Sequence, residues 1–65
     1  MISVRSSVIS AIDYDANNSI LYVVIKPNKL YKYRRVPVRV FENFLKSRSK
    51  GTYFTNYVKG RFTQF

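Results

Sequence analysis

The segment SILYVVIKPNKLYKYRRVP, from Ser19 to Pro37, holds two strand-like runs, a turn between them and the start of a helix. Its first run, Ser19 to Lys26, is apolar on both faces, which is typical of a strand in the middle of a sheet. Proline and asparagine in the turn Pro27-Asn28-Lys29 predict a tight reversal. The next run, Leu30 to Arg34, is therefore expected to return antiparallel beside the first.

A further strand is predicted before this pair, over Ser6 to Tyr14, because the segment is rich in isoleucine and valine. Strict alternation places Val8, Ile12 and Tyr14 on one face of it and Ile9, Ala11 and Asp13 on the other. The run Asp15-Ala16-Asn17-Asn18 is a turn sequence, since Asp and Asn side chains hydrogen-bond to the local backbone. Three antiparallel strands in chain order form a meander, which needs a cover on one face.

Helices are predicted to supply that cover. Val36-Pro37 marks a helix start, and the helix should run to about Arg48. Its apolar stripe consists of Val40, Phe41, Phe44 and Leu45. Ser49-Lys50-Gly51 is expected to close it, with glycine as a left-handed cap, and a shorter helix should begin near Thr55 and end by Gly60. The predicted fold is α+β: a three-stranded antiparallel β-meander packed against one main helix plus a short C-terminal helix, in a single domain over residues 1–65.

Composition limits the classes of function. Hydrophobic residues make up 46% of the 65 residues and aromatic residues 17%, which favours a folded domain over a disordered tail. There is no cysteine and no histidine, so disulfides, thiolate metal sites and the usual neutral-pH proton shuttle are excluded. We expect no metal and no cofactor. No apolar run is long enough to span a bilayer, and the expectation is a cytoplasmic protein that does not enter the membrane.

Charge is distributed unevenly along the chain. The net charge is +9, but Met1 to Ile25 carries −1, whereas the residues from Lys26 onward carry +10. Such asymmetry predicts a polyanion-facing surface, with RNA or another single-stranded nucleic acid as the leading partner. The alternative is that the excess charge has no binding role and only keeps the small domain soluble.

The residues predicted to contact phosphates lie mostly around the third strand and the helix start. They are Lys29, Lys32, Arg34, Arg35 and Arg39, with Lys50 and Lys59 extending the path. Tyr31 and Tyr33 alternate with this charge, so they leave the strand on the opposite face from Lys32 and Arg34. Two interpretations of the rings stay open at this point: they stack on exposed bases, or they form core beneath the helix.

Catalysis is not expected. Asp13 and Asp15 are the only candidate carboxylate pair, and their position beside a turn favours a structural role. Ser6, Ser7 and Ser49 would need a lysine as general base because the chain has no histidine, and nothing in the sequence marks a lysine as desolvated. The basic run Lys46 to Lys50 is interpreted as a solvated helix end in preference to an anion site.

Taken in order, several short motifs resemble the KTSC domain family, a small module found at the C-terminus of some lysyl-tRNA synthetases and as a stand-alone protein. They are Ser6-Ser7-Val8, Tyr14-Asp15, Tyr31 and Tyr33, Val36-Pro37, Ser49-Lys50-Gly51, and Tyr53-Phe54. The resemblance covers nearly the whole chain and implies RNA binding by association with a tRNA-charging enzyme. The chain departs from the pattern at Arg35 and around Asn28-Lys29, where glycine is usual.

The sequence thus predicts a small binding module that contacts RNA or single-stranded nucleic acid through phosphates, with little sequence specificity. The alternative is a protein-interaction module, an accessory or inhibitor protein that docks its basic face on an acidic partner. The sequence leaves the oligomeric state open.

Overall fold

The sheet of the computed structural model, which describes residues 1–65, has five antiparallel strands in chain order. They are β1 (Ile2–Ser3), β2 (Ile9–Asp15), β3 (Ile20–Ile25), β4 (Lys29–Arg34) and β5 (Thr63–Gln64). The three long strands form the expected meander, but the prediction of three strands was wrong in number. β1 and β5 have two residues each, too few for an alternating pattern to be visible in the sequence.

A β-bulge changes which side chains of β2 face the core. Ile9 pairs with Ile25 and Ala11 pairs with Val24, so Ser10 is the extra residue. Ile9 and Ile12 are consequently both fully buried, although strict alternation would separate them. Val8, which we expected on the Ile12 face, is 45% exposed.

The core lies between one face of the sheet and the helices, and we call this the helix face. Two cross-strand rows build it: Ile12, Val23 and Tyr31, and then Tyr14, Leu21 and Tyr33. The helices contribute the buried side chains of Phe44, Phe54 and Val58. The hydroxyl of Tyr14 donates to the carbonyl oxygen of Val36 at 2.5 Å, and this bond ties the sheet to the chain entering the first helix.

The helices begin and end at residues that differ from the predicted ones. Helix α1 spans Val38–Lys46 with Pro37 at its N-cap. Its stripe is as predicted, with Phe44 buried and Val40, Phe41 and Leu45 packed against the core. Helix α2 spans Lys50–Tyr53 and continues as a π-helical turn over Phe54–Val58.

Two predicted helix caps were wrong. Gly51 lies inside α2 and has no positive φ, whereas α1 ends at Lys46 with Ser47 as its C-cap. The N-cap of α2 is Ser49, whose Oγ accepts from the backbone N–H of Thr52 at 3.3 Å, and Thr55 lies within the following turn. Gly60 does end this helical segment, with φ +77.

The opposite side of the sheet, which we call the open face, is not covered by a helix. Its rows follow from the strand register: Ala11, Val24 and Leu30, then Asp13, Tyr22 and Lys32, with Asp15, Ile20 and Arg34 one step further along the strands. None of its apolar residues packs against the core. The strand β4 therefore presents Tyr31 and Tyr33 to the helices, and Lys32 and Arg34 to the open face.

Candidate functional site

A cleft of about 830 Å³ opens where the helix face of the sheet meets α2. One wall is the segment Arg5–Val8, which leads into β2. The other wall is Arg48–Thr52 together with the exposed side of the π-helical turn. Tyr31 on β4 and Gln64 on β5 lie between these walls. The volume falls within the range of ordinary ligand sites.

All of the charged side chains that line the cleft are positive. Its basic side chains come from Arg5, Arg48, Lys50 and Lys59, and no aspartate or glutamate is among the lining residues. The chain has one ion pair, between the Met1 amino group and Asp13 at 3.9 Å. No lysine or arginine side chain forms a salt bridge. The charges of this basic cleft are therefore uncompensated within the protein, which favours an anionic ligand.

Local hydrogen bonds fix the two walls. Ser6 Oγ accepts from the backbone N–H groups of Val8 and Ile9, both at 3.1 Å, and so holds the turn that carries Arg5. Ser49 caps α2 and sets its direction. The Lys50 ammonium donates to the carbonyl oxygen of Ser47, so Lys50 is partly committed to the end of α1. Arg5, Arg48 and Lys59 are exposed and make no such bond.

The two strand tyrosines differ in what they can contact. Tyr33 is only 2% exposed, and its ring packs edge-on against Phe54 with 6.0 Å between centroids. Burial, with a smaller contribution from Tyr31, raises the pKa of the Tyr33 hydroxyl. Its ring is part of the core, although Tyr33 is also one of the residues that line the cleft, and too little of the ring is exposed for a base to stack on it. Tyr31 is half-buried, lines the cleft and has Lys29 Nζ 5.5 Å from its ring centroid.

The other predicted phosphate contacts do not join the cleft. Lys32 and Arg34 lie on the open face, 4.9 and 5.7 Å from the ring centroid of Phe65. Arg39 borders a separate, smaller hollow beside Arg61. The seven predicted basic residues are thus divided among several places. Of the seven, only Lys50 and Lys59 line the cleft; Lys29 lies over the Tyr31 ring but is not a lining residue.

Arg35 occupies the turn after β4 with φ +57. This left-handed conformation favours glycine, because a Cβ crowds the backbone there. Arg35 takes this conformation despite its Cβ, and its side chain is exposed.

Two cleft residues, Arg5 and Arg48, were not among the predicted contacts. Arg5 lies in the segment Met1 to Ile25, which has a negative net charge, so the charge pattern did not indicate it as a phosphate contact. Arg48 belongs to the run Lys46 to Lys50, which we interpreted as a solvated helix end. No local signal in the sequence marks either residue, because only the packing of α2 beside the segment before β2 brings them to one cleft.

Fold and site together define a small α+β domain with an uncovered sheet face on one side and a basic cleft on the other. The model of the KTSC domain family matches residues 5–62. This chain belongs to the KTSC domain family. It is similar to the crystal structure of the KTSC domain protein YPO2434 from Yersinia pestis, with 36% sequence identity, a TM-score of 0.93, and coverage of 97% of this chain and 89% of that one.

No curated protein matches the chain. Neither α1 nor α2 has the length and apolar character that a membrane-spanning helix needs.

Proposed function

We propose that this protein is a binding module for RNA or other single-stranded nucleic acid in the cytoplasm, and that the basic cleft is its binding site. The observation that carries the proposal is a cleft lined by four basic side chains and no acidic one. Arg5, Arg48, Lys50 and Lys59 would contact phosphate oxygens. Binding without catalysis is proposed, since the cleft offers neither a histidine nor a carboxylate.

Tyr31 gives the cleft an aromatic surface beside this charge. Single-stranded nucleic acids are bound by positive grooves that follow the backbone and by rings on which bases stack. Stacking on an aromatic ring tolerates any base, and phosphate contacts carry no sequence information. The proposed site therefore selects single strands with little sequence preference.

Salt dependence gives the proposal a quantitative test. Neutralising Z phosphates of a single strand makes log K fall with log salt at a slope of about −0.7Z. Four cleft charges predict a slope of about −2.8, or an affinity loss of about fiftyfold for a fourfold rise in salt. Fluorescence anisotropy with a short labelled single-stranded RNA measures this slope directly.

Two double variants with equal net charge separate the cleft from charge in general. Arg48→Gln/Lys59→Gln removes two cleft charges and should flatten the slope to about −1.4. Lys32→Gln/Arg34→Gln removes two charges from the open face and should leave the wild-type slope. Equal losses in both variants would show attraction by net charge alone, and absence of binding at low salt would overturn the proposal.

An acidic protein is the second candidate partner, and the hollow beside α1 favours it. Tyr57, 57% exposed, lies there with Arg39 and Arg61, and tyrosine and arginine are the residue types that dominate protein interfaces. A docking surface would concentrate the loss of affinity in one or two of these residues, whereas phosphate contacts lose affinity in similar steps for each charge removed.

A further inference from the structure

The open face combines an apolar centre with charge of opposite sign on its two sides. Leu30 is 53% exposed, and Ile20, Tyr22 and Val24 on β3 are half-buried without touching the core. Asp13 and Asp15 lie on β2, on one side of this centre, and Lys32 and Arg34 lie on β4, on the other side. An uncovered sheet face with apolar side chains is a surface that a second layer can bury.

The register places opposite charges in the same cross-strand row. Asp13 pairs with Tyr22, and Tyr22 pairs with Lys32, so this row reads negative, aromatic, positive across the sheet. The next row, with Asp15, Ile20 and Arg34, has the same order of charge. Each row is therefore complementary to itself when it is reversed.

We infer that the open face binds the open face of a second copy of this chain, around a two-fold axis that runs parallel to β3. Rotation about that axis lays β2 of one copy over β4 of the other. Asp13 then faces the partner copy's lysine at position 32, and the central strands face each other. A two-fold axis across the strands would instead lay β2 over β2 and place aspartates together, so charge selects the first arrangement.

The size of the face predicts a weak dimer. Three long strands about 4.8 Å apart and three rows cover roughly 15 by 20 Å, or about 300 Å² per copy. This area is below that of a standard stable interface, so dissociation is expected in the micromolar range or above. The cation-π contacts of Lys32 and Arg34 with Phe65 and the contact of Asp13 with the Met1 amino group compete with the intermolecular pairs and weaken it further.

The inference is independent of the basic cleft, which lies on the other side of the sheet. Sedimentation velocity from micromolar to millimolar protein should show a reversible monomer–dimer equilibrium. A purely monomeric chain over that whole range overturns the inference.

A charge-swap pair tests the arrangement. Lys32→Glu puts acids on both sides of the centre, and Asp13→Lys puts bases on both sides. Each variant alone should therefore have a dimer dissociation constant at least about tenfold higher than that of the wild type. An equimolar mixture should form a heterodimer, because each acidic row then meets a basic one. Dimerisation that is unchanged in both variants, or a mixture that stays monomeric while the wild type dimerises, overturns the proposed axis. Asp15 is left in place because its carboxylate holds the β2–β3 turn.

Cross-linking gives a second readout that does not depend on charge. The chain has no cysteine, so Tyr22→Cys introduces a single thiol beside the proposed axis. Sheets packed face to face are about 10 Å apart, a distance that a short bis-maleimide reagent spans. Tyr22→Cys should cross-link to a covalent dimer, and Ser7→Cys, exposed on the cleft side, should not. Equal yields for the two variants contradict the inference, and circular dichroism confirms that each variant is folded.

Discussion

Tyr31 and Lys32 are neighbours in the chain but belong to opposite surfaces of the domain. The Tyr31 ring lines the basic cleft, whereas Lys32 lies in the cross-strand row with Tyr22 and Asp13 on the open face. Because side chains alternate along a strand, β4 serves both surfaces at once. Basic residues that are close together in the sequence therefore lie on different surfaces. The positive charge of the cleft comes from Arg5, Arg48, Lys50 and Lys59.

Replacement of Arg35 by glycine should stabilise the domain. Arg35 has φ +57, a conformation that costs a residue with a Cβ about 1–2 kcal/mol. Glycine relieves this cost and loses part of the gain to its larger entropy in the unfolded state. Arg35→Gly should therefore raise the free energy of unfolding by about 0.5–1 kcal/mol in urea denaturation. A loss of stability would contradict the assigned turn geometry.

The two glycines should respond in opposite directions to alanine. Gly51 is inside α2, where a Cβ would lie 3.6 Å from Val8 in ordinary contact, so Gly51→Ala should stabilise by up to about 1 kcal/mol through helix propensity. Gly60 has φ +77 and open space around it, so Gly60→Ala should destabilise by about 1 kcal/mol through backbone strain alone. Thermal unfolding of both variants compares them, and the same sign for both would contradict this account.

Substitution of the two tyrosines of β4 should have different effects: loss of Tyr33 should lower stability, and loss of Tyr31 should lower RNA affinity. Tyr33→Ala removes a buried ring and should cost about 3–5 kcal/mol, enough to unfold much of a domain this small. Tyr31→Ala removes a half-buried ring, should leave the domain folded, and should weaken RNA binding by about 1–3 kcal/mol if a base stacks there. Urea denaturation and anisotropy on the folded variant measure the two effects. Full stability of Tyr33→Ala would contradict its place in the core.

The turn between β2 and β3 predicts an acid-sensitive contribution to stability. The Asp15 carboxylate accepts from the Asn18 side-chain amide at 2.9 Å and from the backbone N–H groups of Asn18 and Asn17. The Asn18 side-chain bond contributes most to lowering the Asp15 pKa below its ordinary value of 3.8. A lowered pKa means that this contribution is fully present above the unfolded value and is lost as pH falls through the folded one.

Urea denaturation between about pH 2 and pH 6 checks this dependence on protonation. Asp15→Asn is the matched control, because it keeps the shape of the side chain and removes the ionisation. The difference in stability between wild type and Asp15→Asn should shrink as pH falls below 3.8. A difference that is constant over the whole range would contradict the assigned role of the carboxylate.

The sequence predicted the parts of the fold that depend on periodicity. The three long strands, the stripe around Phe44 and the opposite facing of Tyr31 and Lys32 follow from spacing alone. The bulge at Ser10 did not, because it is visible only in the pairing with β3. β1 and β5 were missed since two residues carry no pattern, and their pairing depends on backbone bonds such as Phe65 N–H to the Lys32 carbonyl oxygen at 3.0 Å.

The candidate site was less accessible to sequence reasoning for a physical reason. The distribution of net charge along the chain groups residues that are adjacent in sequence, whereas a cleft is formed by residues from separate segments. Arg5 and Arg48 are 43 positions apart, and only the docking of α2 beside the segment before β2 brings both to one cleft. Lys50 and Lys59 were predicted because they are basic, without knowledge of which surface they share.

The most direct test of the central claim is an NMR titration of the isotope-labelled protein with a single-stranded RNA of about eight nucleotides, a length typical of single-strand binding sites. We expect saturable backbone shift changes at Arg5, Ser7, Arg48 and Lys59, with little change at Ala11 and Val24 on the open face. Changes concentrated on the open face, or none at low salt, would contradict the assignment of the basic cleft as the nucleic-acid site.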